Sequence, residues 1–250
     1  MKSTSFLLVL VLLTGCSAPA AHEATMPTVH HRGALRNMMH QGDISAKADL
    51  QDWQDREHLY ALGALEALKG EILVWDGTPY MASAADGEVA IENTFDRKAT
   101  LLVYAEVTNW MQVDVPDTVD TYTALEKFIA QAAAEEGLDT EAPFPFLLKG
   151  QPATADWHVI DWPEGDTEHS HTKHRQSGPH GTLEQQPMDI LGFYSQHHTG
   201  IFTHHTTNMH LHFRTHDGRL VGHLDDLVPE GGVLTLYLPE ETRFTTNDEF

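Results

Sequence analysis

His210, His212 and His223 are the residues of this 250-residue chain whose types and spacing could do chemistry. Successive side chains of a β-strand point to opposite faces, so His210 and His212, two residues apart, share one face. Asp217-Gly218 is a hairpin signal. Reversal there predicts a register that pairs His216 with Arg219, Arg214 with Val221, and His212 with His223. Three imidazoles then project from one face of a hairpin. Three neutral imidazoles with an open fourth position are the donor set of a catalytic zinc site, although imidazole also suits copper, iron and nickel. Leu211, Phe213, Leu220 and Leu224 fall on the opposite face, where they can pack on a core. The competing reading is solvated strand histidines, since a His-x-His pair arises easily by chance among 18 histidines.

Other segments must position this hairpin. Leu35, Met38 and Met39 mark a short amphipathic helix, and Ala46 to Leu65 reads as a further helical stretch with polar breaks. Glu71–Trp75 is a strand, closed by the Asp76-Gly77 turn and returned by Thr78–Met81. Residues 100–108 form a strand apolar enough to be buried. Leu125, Phe128, Ile129 and Ala132 recur at helical spacing between Thr121 and Glu136, and Gly137 ends that helix. Strands follow at Phe146–Lys149, Asp156–Asp161, Ile190–Tyr194, Met209–Thr215, Leu220–Leu224 and Val233–Leu238. Residues 163–182 read as a loop. The balance is α+β, with most of the helix in the N-terminal half.

The N-terminus carries a different signal. Residues 1–15 combine a basic start with the eight-residue apolar run Phe6–Leu13. That run is far short of the roughly 20 residues that span a bilayer, and it suits an export signal. Leu13-Thr14-Gly15-Cys16 resembles the lipobox of bacterial lipoproteins, in which the cysteine becomes the lipid-bearing first residue. Cys16 is the single cysteine, which excludes a disulfide framework and a thiolate metal site. An exported protein, held to a membrane through a lipid on Cys16 and a flexible tether over 16–33, is expected. The alternative is an ordinary cleaved signal. A net charge of −22, with 15 basic residues against 37 acidic, argues against nucleic-acid binding.

With these segments in order, residues 34–240 resemble the acetolactate decarboxylase family. The likeness rests on residues 63–80 (GALEALKGEILVWDGTPY), Ile190-Leu-Gly-Phe193, His210-Leu-His212-Phe and Gly222-His223-Leu-Asp225. It implies a strand-rich two-subdomain fold over 34–250, with the metal site on the hairpin in the cleft, and a homodimer. It also implies Zn2+ on His210, His212 and His223, and conversion of 2-acetolactate, or a related 2-hydroxy-3-keto acid, to acetoin. A Lewis acid that chelates the hydroxyl and keto oxygens can stabilise the enediolate left as CO2 departs. Glu71 matches the family's catalytic glutamate, which manages the proton that ends on carbon. Without the resemblance, Glu71 reads as an ordinary exposed residue at a strand start.

Two positions depart from the family pattern. The family's carboxylate-holding arginine aligns with Asp156-Trp157-His158-Val159-Ile160, which puts His158 in its place, a weaker and pH-dependent anion partner. Arg175 is the other candidate for that role. For a glutamate that the family supplies from a C-terminal tail, this chain has Glu241 and Glu249. His169, His171, His174, His180, His197, His198, His204 and His205 lie outside the pattern. They read either as a solvated polar surface or as low-affinity metal ligands, with His204 and His205 alternatively orienting the ligands. The second functional class is therefore a lipid-anchored metal-binding protein that keeps the three ligands and lacks the substrate clamp.

Overall fold

The computed structural model describes residues 26–240. The signal segment, Cys16, the tether up to residue 25, Glu241 and Glu249 lie outside the described residues. The N-terminal half contains β1 (His30–Arg32), α1 (Leu35–Gln41), β2 (Ala48–Asp49), β3 (Leu59–Leu65), β4 (Glu71–Trp75), β5 (Thr78–Ala85), β6 (Glu88–Glu92) and β7 (Lys98–Glu106). The remainder contains β8 (Trp110–Asp114), α2 (Tyr122–Glu135), β9 (Phe144–Gln151), β10 (Thr154–His158), α3 (His171–Gln176), β11 (His180–Glu184), β12 (Met188–Tyr194), β13 (Met209–Thr215), β14 (Val221–Val228) and β15 (Val233–Pro239). The strands make two antiparallel sheets. The first runs β1-β7-β3-β4-β5-β6 with β2 also on β7, and the second runs β11-β10-β14-β13-β12-β9-β15-β8.

Side-chain alternation along these strands produces three apolar layers. Leu62, Leu73 and Val103 of the first sheet meet Leu147, Leu191 and Phe193 of the second, and this layer joins the sheets. The outer face of the first sheet packs Ile72, Val74 and Leu102 against Leu50 and Trp53. The outer face of the second packs Phe146, Ile190 and Leu211 under Leu125 and Ile129 of α2. Strands buried on both faces read as continuous apolar runs rather than alternating ones. That explains the one large difference from expectation: Ala46–Leu65 is not helical. It holds β2, a 3-10 turn at Leu50–Trp53 and the fully buried β3.

Most other elements fall where the sequence places them. Thr121 caps α2 by accepting a hydrogen bond from the Ala124 amide, and Gly137 beyond its end has φ 87°. Asp76 and Gly77 have φ 47° and 76°, as the two-residue turn between β4 and β5 requires. The expected tether is shorter than residue 33, because His30–Arg32 pair with β7. The stretch 163–182, expected to be a loop, contains α3 and the start of β11. Among the described residues, no helix is long and apolar enough to cross a membrane.

Gly192 of β12 sits where strands approach without room for a side chain. A Cβ there would lie 2.2 Å from the ring of Phe146, which is buried across β9. Gly192→Ala therefore forces that ring out of its rotamer. An overpacked core of this kind costs about 1–3 kcal/mol, which a thermal melt reads as a midpoint lowered by a few degrees.

Candidate metal centre

The hairpin of β13 and β14 has the anticipated register: His212 faces His223, and Arg214 faces Val221. Its turn differs. The Gly218 amide donates to the Thr215 carbonyl (3.0 Å), and the Thr215 amide donates to the Leu220 carbonyl (2.9 Å), so the loop has four residues rather than two. Asp217 stabilises this wider turn by accepting from the Thr215 hydroxyl (2.6 Å) and the Arg219 amide (3.1 Å). Residue pairing beyond the turn is the same either way, so the histidines stay aligned. Leu211, Phe213, Leu220 and Leu224 pack into the layer under α2, on the far side of the sheet from the imidazoles.

A cross-strand row builds the site. His158 at the end of β10 faces His223, which faces His212, which faces Leu191, which faces Leu147. The row is imidazole at one end and apolar at the other. His210, two residues before His212, neighbours Phe193. The rings of His210, His212 and His223 stand 5.1–5.2 Å apart, centre to centre. One ring nitrogen from each lies within 4.8 Å of the others. His210 Nδ1 and both nitrogens of the fully buried His212 have no hydrogen-bond partner. Burial holds all three imidazoles neutral: His210 is pushed down to about 4, His212 and His223 well below the usual histidine range. The neighbouring imidazoles add to the shift at His212 and His223. Neutral, convergent, unsatisfied imidazole nitrogens fit a divalent metal ion.

Glu71 approaches from the other sheet. Residues 71, 73 and 75 of β4 point inward, so the Glu71 carboxylate lies 3.6 Å from His212 Nε2 and 3.8 Å from His158 Nε2. Its Oε1 accepts the Ile160 amide at 3.1 Å. Burial raises its pKa to about 7, against the lowering effect of His158 and that amide. The turn that delivers it holds Ala67 and Leu68 at φ 58° and 53°, left-handed conformations that cost roughly 1–2 kcal/mol each outside glycine. Glu71 is therefore a buried acid facing the histidine row, not an exposed strand-end residue.

Asp225 belongs to the site although no sequence argument assigned it a role. The β10–β14 register shifts by one there, with Leu224 facing Trp157 and Asp226 facing Asp156, which makes Asp225 the extra residue of a bulge. Its Oδ2 accepts from His158 Nδ1 at 2.9 Å and pairs with Arg175 Nε at 3.0 Å. A two-residue count from His223 along the strand was the available signal. Tyr122 of α2 also lines the cleft, and burial raises its phenol pKa.

The His-rich segments divide. Among the described residues, His171, His174 and His204 line the cleft with His158, His210 and His223, and no lysine or arginine does. Arg175 lies behind Asp225, in a neighbouring polar recess with Asp156 and Trp157. His169 stacks on Trp162 and bonds His174 (2.9 Å). His204 bonds Thr206, stacks on His171 and lies tilted against His205; none of these contacts is a hydrogen bond to His210 or His212. His180, His197 and His198 bond Gly178, Glu141 and Ser195 respectively, away from the triad.

Burial lowers the pKa of His169 and His171, and that of His174 to about 4. A depressed folded-state value stabilises the fold above the unfolded histidine value of 6.5, and that stability is lost as pH falls from there towards 4. Acidification from pH 7 to pH 5 is therefore expected to loosen α3, read as faster amide exchange over residues 170–177. His174→Asn is expected to reduce that pH sensitivity.

The sequence model of the family described as alpha-acetolactate decarboxylase matches residues 59–249. Comparison with curated protein sequences gives no match. Among solved structures, alpha-acetolactate decarboxylase from Bacillus subtilis strain 168 superposes with a TM-score of 0.68 at 16% identity, covering 85% of this chain and 86% of that one. Acetolactate decarboxylase from Bacillus subtilis subspecies spizizenii gives 0.67 at 17%, covering 88% and 91%. A Staphylococcus aureus protein of unknown function, similar to alpha-acetolactate decarboxylase, gives 0.64 at 15%, covering 86% and 87%. At these identities the likeness establishes the fold, and the family match over most of the chain establishes the kinship: this chain belongs to the alpha-acetolactate decarboxylase family.

Proposed function

We propose that this protein is a zinc-dependent decarboxylase that converts 2-acetolactate, or a related 2-hydroxy-3-keto acid, to acetoin or its homologue. The observation that carries the reading is the buried acid Glu71 placed 3.6 Å from His212 across the inter-sheet cleft. His210, His212 and His223 would hold the ion, which supplies Lewis-acid polarisation of the substrate's hydroxyl and keto oxygens. Asp225 accepts the Nδ1 proton of His158, which turns Nε2 towards Glu71. In its protonated form His158 holds the substrate carboxylate. Breaking the C–C bond to the carboxylate releases CO2, and the electron pair ends in a new C–H bond. Glu71, raised to about 7 by burial, is protonated in a useful fraction at neutral pH and delivers that proton. The apolar walls of the cleft, among them Leu68, Leu101 and Phe202, exclude water from the reacting carbon.

Acetoin release from 2-acetolactate by the purified, zinc-loaded protein tests the reading. No turnover at full metal occupancy refutes it. Among the described residues, no arginine or lysine lines the cleft, which favours one other reading, a metal-binding protein of the same fold without turnover, and that result would support it. The sequence of the first 16 residues further supports export and lipid anchoring at Cys16. In that case Cys16→Ala moves the protein out of the membrane fraction.

A further inference from the structure

Among the described residues, Asp225 Oδ1 is the one buried carboxylate oxygen without a hydrogen bond. The side chain is 1% exposed, so water does not satisfy it. Its partner oxygen is committed to His158 and Arg175. Oδ1 instead faces His223 Nε2 at 3.9 Å, too far for a hydrogen bond. One ring nitrogen of His158, one of His223 and one Asp225 oxygen lie within 4.8 Å of one another. Leaving a buried carboxylate lone pair unmet is costly, more so than for a neutral acceptor. Glu71 lies 3.8 Å from Nε2 of His158, at the ring edge away from Asp225. Arg175 opposes a cation here, but its side chain is 41% exposed and reaches Asp225 from the solvent side.

We infer that His158, His223 and Asp225 form a second position for a divalent cation, overlapping the His210, His212, His223 triad. The two share His223. A neutral imidazole offers one lone pair, so the positions exclude each other and a single ion exchanges between them. Their donor sets differ. Three imidazoles suit zinc, copper and nickel, whereas two imidazoles with a carboxylate shift preference towards iron(II), manganese and cobalt. The bulge that adds Asp225 to β14 is what creates the second set. This inference uses the triad's geometry and does not require that the protein turn over any substrate.

Cobalt(II) binding tests it, read by calorimetry and by visible absorption. The double variant His210→Ala/His212→Ala is expected to retain one equivalent at the cleft, bound roughly tenfold or more weakly than in the unaltered protein. Adding His158→Ala and Asp225→Asn should weaken that binding by at least another factor of about ten. Both variants keep the histidines of 169–180 and 197–205, so the difference between them reports the cleft alone. Identical binding curves for the two would overturn the inference. If the double variant does not fold, Asp225→Asn alone is read instead: the cobalt absorption band is expected to shift, and an unchanged band overturns it. Absence of acetoin formation alongside Asp225-dependent binding would sink the decarboxylase reading and leave this one standing.

Discussion

Glu71→Gln is expected to leave the metal content unchanged and to lower turnover by about 10²–10⁴-fold, the usual worth of a positioned general acid. The substitution keeps the side chain's shape and its carbonyl oxygen, so the bond from the Ile160 amide survives. What disappears is the transferable proton. Stability should not suffer, because burial raises the carboxyl pKa to about 7. A raised acid favours the fold below the unfolded carboxylate value and loses that contribution as pH rises through about 7. Removing the ionisable group abolishes this loss, so the variant is expected to be at least as stable as the parent above pH 7. Acetoin formation, metal analysis and thermal melts at pH 6 and pH 8 measure the three effects. Full turnover by the variant would remove Glu71 from the mechanism.

His212→Ala should be the more severe change at the metal. His212 is fully buried, with both ring nitrogens unbonded, and it stands between His223 and Leu191 in the cross-strand row. Losing a direct ligand should weaken zinc binding by more than the roughly 10–100-fold typical for an outer partner of a ligand. Acetoin formation should fall with it, at any zinc concentration that does not restore occupancy. Equilibrium dialysis against a chelator of known affinity reads the change. The metal-free fold should tolerate the substitution, since it removes two unsatisfied buried nitrogens at the cost of a small cavity. Unaltered zinc affinity would show that the ion, if bound, sits elsewhere.

Much of this site was legible in the sequence because strand geometry is so regular. A two-residue period and one turn signal were enough to align His210, His212 and His223, and an error in the turn length did not matter. The loop could widen from two residues to four without changing which residues face each other. Helical reasoning succeeded for α2, where a polar face contrasts with Leu125 and Ile129, and failed for Ala46–Leu65. There β3 is buried on both sides and carries no alternation to read. Asp225 carried only its two-residue spacing from His223 as a signal, and its pairing with His158 depends on a bulge set by neighbours across two strands rather than by its own type. Glu71 was identified by resemblance alone. Nothing in Gly70-Glu71-Ile72 says that the carboxylate is buried, since what buries it is the opposite sheet.

That division between sheets has a consequence for how the molecule could fail. Every imidazole of the row lies on the second sheet, on strands adjacent in hydrogen bonding, whereas Glu71 arrives on β4 of the first. Ligand spacing is thus fixed by backbone pairing within one sheet. The gap between acid and ion depends on side-chain packing between two. A disturbance that slides one sheet on the other, by as little as the length of a hydrogen bond, would disconnect the proton donor while leaving the ion in place. In this architecture the capacity to bind metal is the sturdier property, and the capacity to use it the more fragile one.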